Sequence, residues 1–257
     1  MLGLNNSGER SAPAETVTAP DGGFTMIEMA VVIVILGVLA TLAIRSGVDM
    51  IDDAKHDATQ FELEQLARAI VGDERTASAG KRTDYGYVGD IGALPSTLTD
   101  LVIDPGFGTW DGPYVQTGPD GGYAADAWGV AYVYTGGVTI QSTGSGSTIT
   151  KTIGSATSDI TSNVVRGAVV DARGVPPGPT YKDSIVVSLL RPDGAGGTTT
   201  TTAVPARSGL YTLTGIPIGN HALRAIYIPL ADTVEELVSV GPGATVTVNL
   251  RFGVALW

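Results

Sequence analysis

Between Gly23 and Arg45 runs an apolar stretch, FTMIEMAVVIVILGVLATLAI, whose only ionisable side chain is Glu28. A helix rising about 1.5 Å per residue over Phe24–Ile44 measures roughly 30 Å, the hydrocarbon thickness of a bilayer. The run therefore predicts a transmembrane helix. A carboxylate inside such a span costs about 2.5–3.5 kcal/mol on insertion scales and needs a partner, or it must snorkel to the interface. A secretory signal peptide does not fit, because no basic segment precedes the run and no A-x-A-like site closes it. Upstream, Met1–Gly23 is polar, rich in Ser, Ala, Pro and Thr, without periodicity, and reads as a disordered leader.

Past the span the pattern changes. From Arg45 to Val71, apolar Val48, Ile51, Ala54, Ala58, Phe61, Leu66 and Ala69 recur at three- to five-residue steps among Asp52, Asp53, Lys55, Asp57, Glu62 and Arg68. That is an amphipathic helix, ended by Gly72 and continuous with the span. A polar loop, Asp73–Asp90, leads to a short helix expected at Ser96–Val102. Trp110, Tyr114, Tyr123, Trp128, Tyr132 and Tyr134 then crowd together and mark a small core. GVAYVYTGGVTIQSTG predicts a β-hairpin turning at Gly136-Gly137. Ser142–Asn163, rich in Ser, Thr and Gly, reads as a linker or a weak hairpin. Beyond it, short β-branched runs broken by Gly and Pro predict a sandwich of about seven strands over some 90 residues. The Thr198–Thr202 run reads as an exposed strand edge or loop.

Composition excludes several functions. The chain has 257 residues, a net charge of -11 and no cysteine. No basic patch is present to meet phosphates, so no nucleic-acid partner is expected. Cysteine nucleophiles, thiolate metal clusters and disulfides are ruled out by composition. His56, on the helix, and His221, in an expected strand, each stand alone and read as surface or packing residues. With no clustered acid, base or nucleophile, an enzyme is not expected; no catalytic residue, metal site or cofactor is assigned. Asp120 and Asp126 read as turn residues, and STGSGSTITKTIGSATSD, with a lone carboxylate at Asp159, is too poor in oxygen charge for calcium.

Gly-Phe-Thr-x-x-Glu at the mouth of the span resembles the class III signal of type IV pilins and type II secretion pseudopilins. The resemblance implies that a prepilin peptidase cleaves between Gly23 and Phe24 and N-methylates Phe24. It further implies that Thr25 and Glu28 serve assembly, with Glu28 pairing with the new amine of a neighbouring subunit. Burying both charges among packed helices would specify register more than stability. MAVVIVILGVLATLAI also matches the pseudopilin helix, with Arg45 where many members have a proline, and the leader carries Glu9, Arg10, Glu15 and Asp21 without the usual basic bias. LPSTLTDLVIDPG, WDGPYV and DAWGVAYVY, in that order, resemble the head of the major type II secretion pseudopilin. The G-x-V-x-D-x-x-G and G-x-Y-x-L-x-G-I-P-x-G stretches of the C-terminal block resemble the carboxypeptidase-regulatory-like, or transthyretin-like, β-sandwich.

The expected fold is α+β. Leader 1–23 is followed by a helix over 24–72 (24–44 transmembrane, 45–72 amphipathic), a pseudopilin-like head over 73–162 and a separate sandwich over 163–257. The expected function is a filament subunit of a type IV pilus-like or type II secretion system, polymerising through its N-terminal helix. The expected partners are further copies of itself, the prepilin peptidase, an inner-membrane assembly platform with its ATPase, and membrane lipid before assembly. The expected location is the bacterial inner membrane, single-pass, then a periplasmic or extracellular filament. The alternative is a membrane-anchored module that does not polymerise and whose sandwich recognises carbohydrate or protein.

Overall fold

The computed structural model describes residues 23–78, 80–116 and 123–257. The leader upstream of Gly23 and Asp120 lie outside the described residues. The fold is α+β, and the chain divides after Met50 into two compact units. One α-helix, α1 (Met26–Val71), contributes to both. In the first unit its large apolar side chains are exposed throughout, from Met26 at 94% to Ile44 at 68%, which suits a lipid-facing surface. In the second unit α1 becomes one-sided. Thr59, Leu63, Leu66, Ala67 and Ile70 are buried, while Ala58, Phe61 and Gln65 on the opposite face are exposed. Gly72 ends the helix with φ 81°, its N–H donating to Arg68 O at 2.6 Å. A side chain there would meet the backbone of Asp84, with Asp84 O at 2.3 Å, so only glycine fits the turn.

A two-residue hairpin follows, β1 (Ala77–Ser78) with β2 (Lys81–Arg82), then the helix α2 (Gly86–Ile91) and a 3₁₀ turn at Leu98–Leu101. The turn lies within the stretch read as a short helix and is closed by a capping box between Thr97 and Asp100. Five of the six aromatic residues of that stretch pack here: Tyr132 is buried, and Trp110, Tyr114, Tyr123 and Tyr134 lie partly buried against the same cluster, while the half-buried Trp128 lies outside it. Tyr114 meets Tyr87 and Trp110 edge-on at 5.6 and 5.7 Å.

The hairpin at Gly136-Gly137 is reduced to one bridge, in which Val133 and Gln141 exchange both hydrogen bonds at 2.9 and 3.0 Å. The regular ladder lies on the other side of that strand: β3 (Thr139–Ser142) pairs with β4 (Ile149–Thr152), inside the stretch read as a linker or weak hairpin. Ile140, fully buried, and Ile160, fully buried on the short helix α3 (Thr157–Thr161), tie that stretch into the head cluster. Residues 142–163 are thus part of the folded body.

The remaining strands are β5 (Asn163–Val170), then, after the short helix α4 (Gly178–Tyr181), β6 (Ile185–Pro192), β7 (Thr198–Ala203), β8 (Leu210–Ile216), β9 (Gly219–Tyr227), β10 (Asp232–Val240), β11 (Thr245–Thr247) and β12 (Leu250–Arg251). One sheet runs β10-β9-β6-β7; in the other, β5 pairs antiparallel with β8 and parallel with β11 and β12. Inward residues alternate along the strands: Ile185, Val187 and Leu189 on β6, and Leu223, Ala225 and Tyr227 on β9, belong to one buried cluster with Val165, Leu213 and Phe252. The five-threonine run is the edge strand β7. Eight strands form where about seven were expected, and β10 is the least legible of them, because its TVEEL segment breaks the apolar alternation. Ile218, at the β8–β9 turn, is fully buried in the head cluster and not in its own sandwich; its N–H donates to Ile160 O at 2.9 Å. The head and the sandwich therefore share side chains.

Candidate processing and assembly site

Gly23, Phe24 and Thr25 lead into α1, Glu28 lies in its first turn, and all four are exposed. Among the described residues nothing lies within 4 Å of where a Cβ on Gly23 would sit, and Phe24 is 73% exposed. Thr25 is the N-cap: its carbonyl accepts the first helical bond, from Met29 N–H at 3.1 Å. Glu28 N–H donates to Thr25 Oγ1 at 3.2 Å, and Thr25 N–H and Oγ1 both reach Glu28 Oε2 at 3.4 Å. This is a capping box, which the T-x-x-E spelling announces and which the motif reading passed over. The structure thus brings Thr25 and Glu28 together and holds the carboxylate one residue from the nitrogen that cleavage would free.

The remaining span is long and apolar enough to cross a membrane. Within it Thr41 Oγ1 donates to Gly37 O at 2.8 Å, which satisfies the hydroxyl inside its own helix.

The carboxylate weighed as a turn residue, Asp126, is buried at 5% exposure and fully engaged. Its Oδ1 accepts from Trp128 N–H at 3.0 Å and Val130 N–H at 2.9 Å, and its Oδ2 from Ser142 Oγ at 2.6 Å and Gly144 N–H at 3.0 Å. Burial pushes this carboxyl up, but the Ser142 hydroxyl and the three backbone donors together hold it below the usual range. The same D-x-x-G-x loop recurs at Asp171 and Asp193, each Oδ1 accepting N–H groups two and four residues on at 2.8–3.0 Å. These carboxylates close turns. Among the described residues no group of three or more His, Asp or Glu is placed to hold a metal. His221 is a packing residue: buried, with Nε2 2.8 Å from Pro217 O.

One consequence is measurable. Asp126→Asn replaces an acceptor oxygen by a donor NH₂ amid four donors, and should lower stability at pH 7 by roughly 2 kcal/mol. Because the folded carboxyl lies below its unfolded value, its stabilisation is present above about pH 4 and lost as pH falls through the folded value. The gap between wild type and variant should therefore narrow on acidification, as read by denaturant titration at several pH values. A gap that is constant from pH 7 to pH 2 contradicts this role.

Residues 19–44 match the family model described as the prokaryotic N-terminal methylation motif. No curated protein matches the chain. Among solved structures, the chain is similar to the dioxygenase domain of a dioxygenase carbohydrate-binding protein fusion from the cellulolytic bacterium Streptomyces sp. SirexAA-E, at 13% identity. That alignment covers 37% of this chain and 82% of that one, with a TM-score of 0.26. It is also similar to BcpA, the major pilin subunit of Bacillus cereus, at 14% identity over 46% of this chain and 37% of that one, with a TM-score of 0.23. At those scores neither likeness bears on fold or function. The motif match does bear on it, and it falls on the stretch that holds Gly23, Phe24, Thr25 and Glu28.

Proposed function

We propose that this chain is a pilin-like filament subunit: inserted through α1, cut between Gly23 and Phe24 by a prepilin peptidase, N-methylated at Phe24, and polymerised through α1. The observation that carries the reading is the methylation motif lying across an exposed Gly-Phe bond at the start of an apolar helix. In this reading the membrane span is a temporary anchor in the bacterial inner membrane. An assembly platform and its ATPase then draw the subunit into a periplasmic or extracellular filament. The role is structural and not catalytic.

The finer assignment rests on sequence resemblance. LPSTLTDLVIDPG, WDGPYV and DAWGVAYVY favour a type II secretion pseudopilin head over a pilus head. The C-terminal strands suit a carboxypeptidase-regulatory-like module carried as an accessory domain. Mass spectrometry of the protein purified from its own membranes tests the core of the reading. The expected N-terminus is Phe24 carrying one methyl group; an intact Gly23–Phe24 bond, or a cut elsewhere, sinks it.

A second reading has one observation in its favour. The capping box gives Glu28 a local partner, so a lone helix can use it without any neighbour. Under that reading the chain is a membrane-anchored binding module that never polymerises.

A further inference from the structure

The sheet β10-β9-β6-β7 ends on β7 at one side and β10 at the other, and the two edge strands are chemically unlike. Asp193 N–H donates to Gly197 O at 3.0 Å, which makes 193 and 197 a hydrogen-bonded pair at the mouth of the β6–β7 ladder. Such pairs alternate with non-bonded ones along an antiparallel ladder. Thr199, Thr201 and Ala203 therefore bond to β6, and Thr198, Thr200 and Thr202 turn their N–H and C=O groups to the open side. The side chains of those three threonines are exposed too. Natural edges are commonly guarded by a charge, a proline or a bulge. From Thr198 to Ala203 there is no charge and no proline, and the register with β6 runs without a shift.

At the other edge, Leu237 O accepts from Lys81 Nζ at 3.0 Å and so points away from β9. The same alternation then turns Thr233, Glu235 and Leu237 outward. The C-terminal half of β10 is shielded by the β1–β2 hairpin, through Lys81 and through Asn220 Nδ2, which donates to Arg82 O at 3.1 Å. The N-terminal half carries Asp232, Glu235 and Glu236. Glu235 is partnered across the strand by Arg224 at 3.3 Å. Glu236 enters no ion pair among the described residues.

Direction decides how these edges meet. Each neighbouring pair in the sheet is antiparallel, so β7 and β10 run opposite ways. A second copy translated along the sheet brings its β10 antiparallel to β7, which continues the sheet. The C-terminal end of β7 then faces the open, acidic end of β10. At that end of β7 lies a groove lined by Lys182, Asp183, Ala203, Val204, Arg207 and Leu210. Lys182 pairs with Asp183 at 2.5 Å, and Arg207 enters no ion pair among the described residues. In such an arrangement Arg207 would lie at the end of β7 that the neighbour's Asp232 and Glu236 approach.

We propose that the sandwiches of successive copies join edge to edge, β7 of one against β10 of the next, with Arg207 facing the acidic end of the neighbour's β10. Such a contact uses two different surfaces of the same chain, so it propagates into an open chain or a ring and does not stop at a dimer. It adds a second line of contact to a filament built through α1, and it rests on that filament reading for the alignment of copies.

Cysteine cross-linking of the full-length protein in membranes tests it. The chain has no cysteine of its own. Cysteines at Thr202 and Thr233 of one chain lie on opposite edges, three strand spacings or about 14 Å apart, too far to bridge internally with a short reagent. A bismaleimide reaching a diagonal cross-strand neighbour, about 7–8 Å, should give a ladder of dimers, trimers and higher multimers. Thr200→Pro removes an outward N–H that β6 does not use, and should abolish the ladder. Arg207→Glu should weaken it, and adding Glu236→Lys should restore it. Dimers formed by Thr202→Cys alone would mean that two β7 edges pair with each other, which overturns the proposal. Filaments seen by electron microscopy without any ladder overturn the edge pairing and leave the α1 filament standing. If both are absent, both fall.

Discussion

Replacing Glu28 by leucine should leave the chain in the membrane and abolish its filaments. In the single chain Glu28 closes a capping box with Thr25, and an N-terminal cap contributes typically about 1 kcal/mol. A charged carboxylate within the span costs about 2.5–3.5 kcal/mol on insertion scales. The cap therefore does not offset the charge, and a lone subunit gains by losing it. Insertion of Glu28→Leu should be equal to wild type or better, as membrane fractionation would show. What leucine cannot do is neutralise the amine that cleavage creates at Phe24. With helices packed together and water gone, an unpaired ammonium is far costlier than it was at the interface, because removing one partner of a buried pair costs about 3–5 kcal/mol. Glu28→Gln separates the two roles. Glutamine retains the capping box but not the charge, so it should fail to assemble just as leucine does. Normal filaments from Glu28→Gln would mean that Glu28 is a cap and nothing more; normal filaments from both variants would refute the ion pair altogether, whereas filaments from neither variant nor wild type would favour the anchored, non-polymerising module.

How much of this was legible in the sequence depends on the range of the interaction involved. Local signals read well: the apolar run, the helix end at Gly72, the 3₁₀ turn near Leu98 and the edge character of Thr198–Thr202. Each is set by residues within a few positions of one another. Two local signals were present but only partly read, Asp126 being taken as a turn residue without its recurrence being noticed. T-x-x-E at Thr25–Glu28 spells a capping box, and D-x-x-G-x at Asp126, Asp171 and Asp193 spells one carboxylate-closed loop three times over. The hairpin turns at Gly136-Gly137 as the composition suggests, but it is only one bridge long, between Val133 and Gln141. The ladder of β3 goes instead to β4, where Ile149 packs against the cluster around Ile140. Long-range sharing had no signal at all. Nothing in the spelling of Ile218 says that it leaves the sandwich for the head cluster, and β10 hides because Glu235 and Glu236 occupy positions where burial gives way to solvent.

Gly167→Ala should be the most damaging single-methyl change in the sandwich. Gly167 sits in the middle of β5, which pairs with β8 on one side and with β11 and then β12 on the other. Between β11 and β12 the chain swings in at Val248. A Cβ on Gly167 would lie 1.6 Å from Val248 O and 3.0 Å from the Tyr211 hydroxyl. Neither can step aside freely. Val248 N–H donates to Arg166 O at 2.8 Å, Tyr211 Oη donates to Val248 O at 2.6 Å, and Asn249 Oδ1 accepts from Ala168 N–H at 3.0 Å. Inserting the methyl must break this local set of bonds or separate β5 from the β11–β12 crossing, at a cost of about 3 kcal/mol or more. The same motif explains itself residue by residue: Gly167 admits Val248, Val169 fills the core, Asp171 closes its loop and Gly174, at φ 78°, turns it. Because Ile218 links the sandwich to the head cluster, the loss should appear as one earlier transition for both, and not as a melted sandwich beside an intact head. Chemical denaturation followed by tryptophan emission, reporting on Trp110 and Trp128 in the head and Trp257 in the sandwich, gives the readout. A midpoint unchanged from wild type would show that the Val248 crossing is looser than its three hydrogen bonds imply.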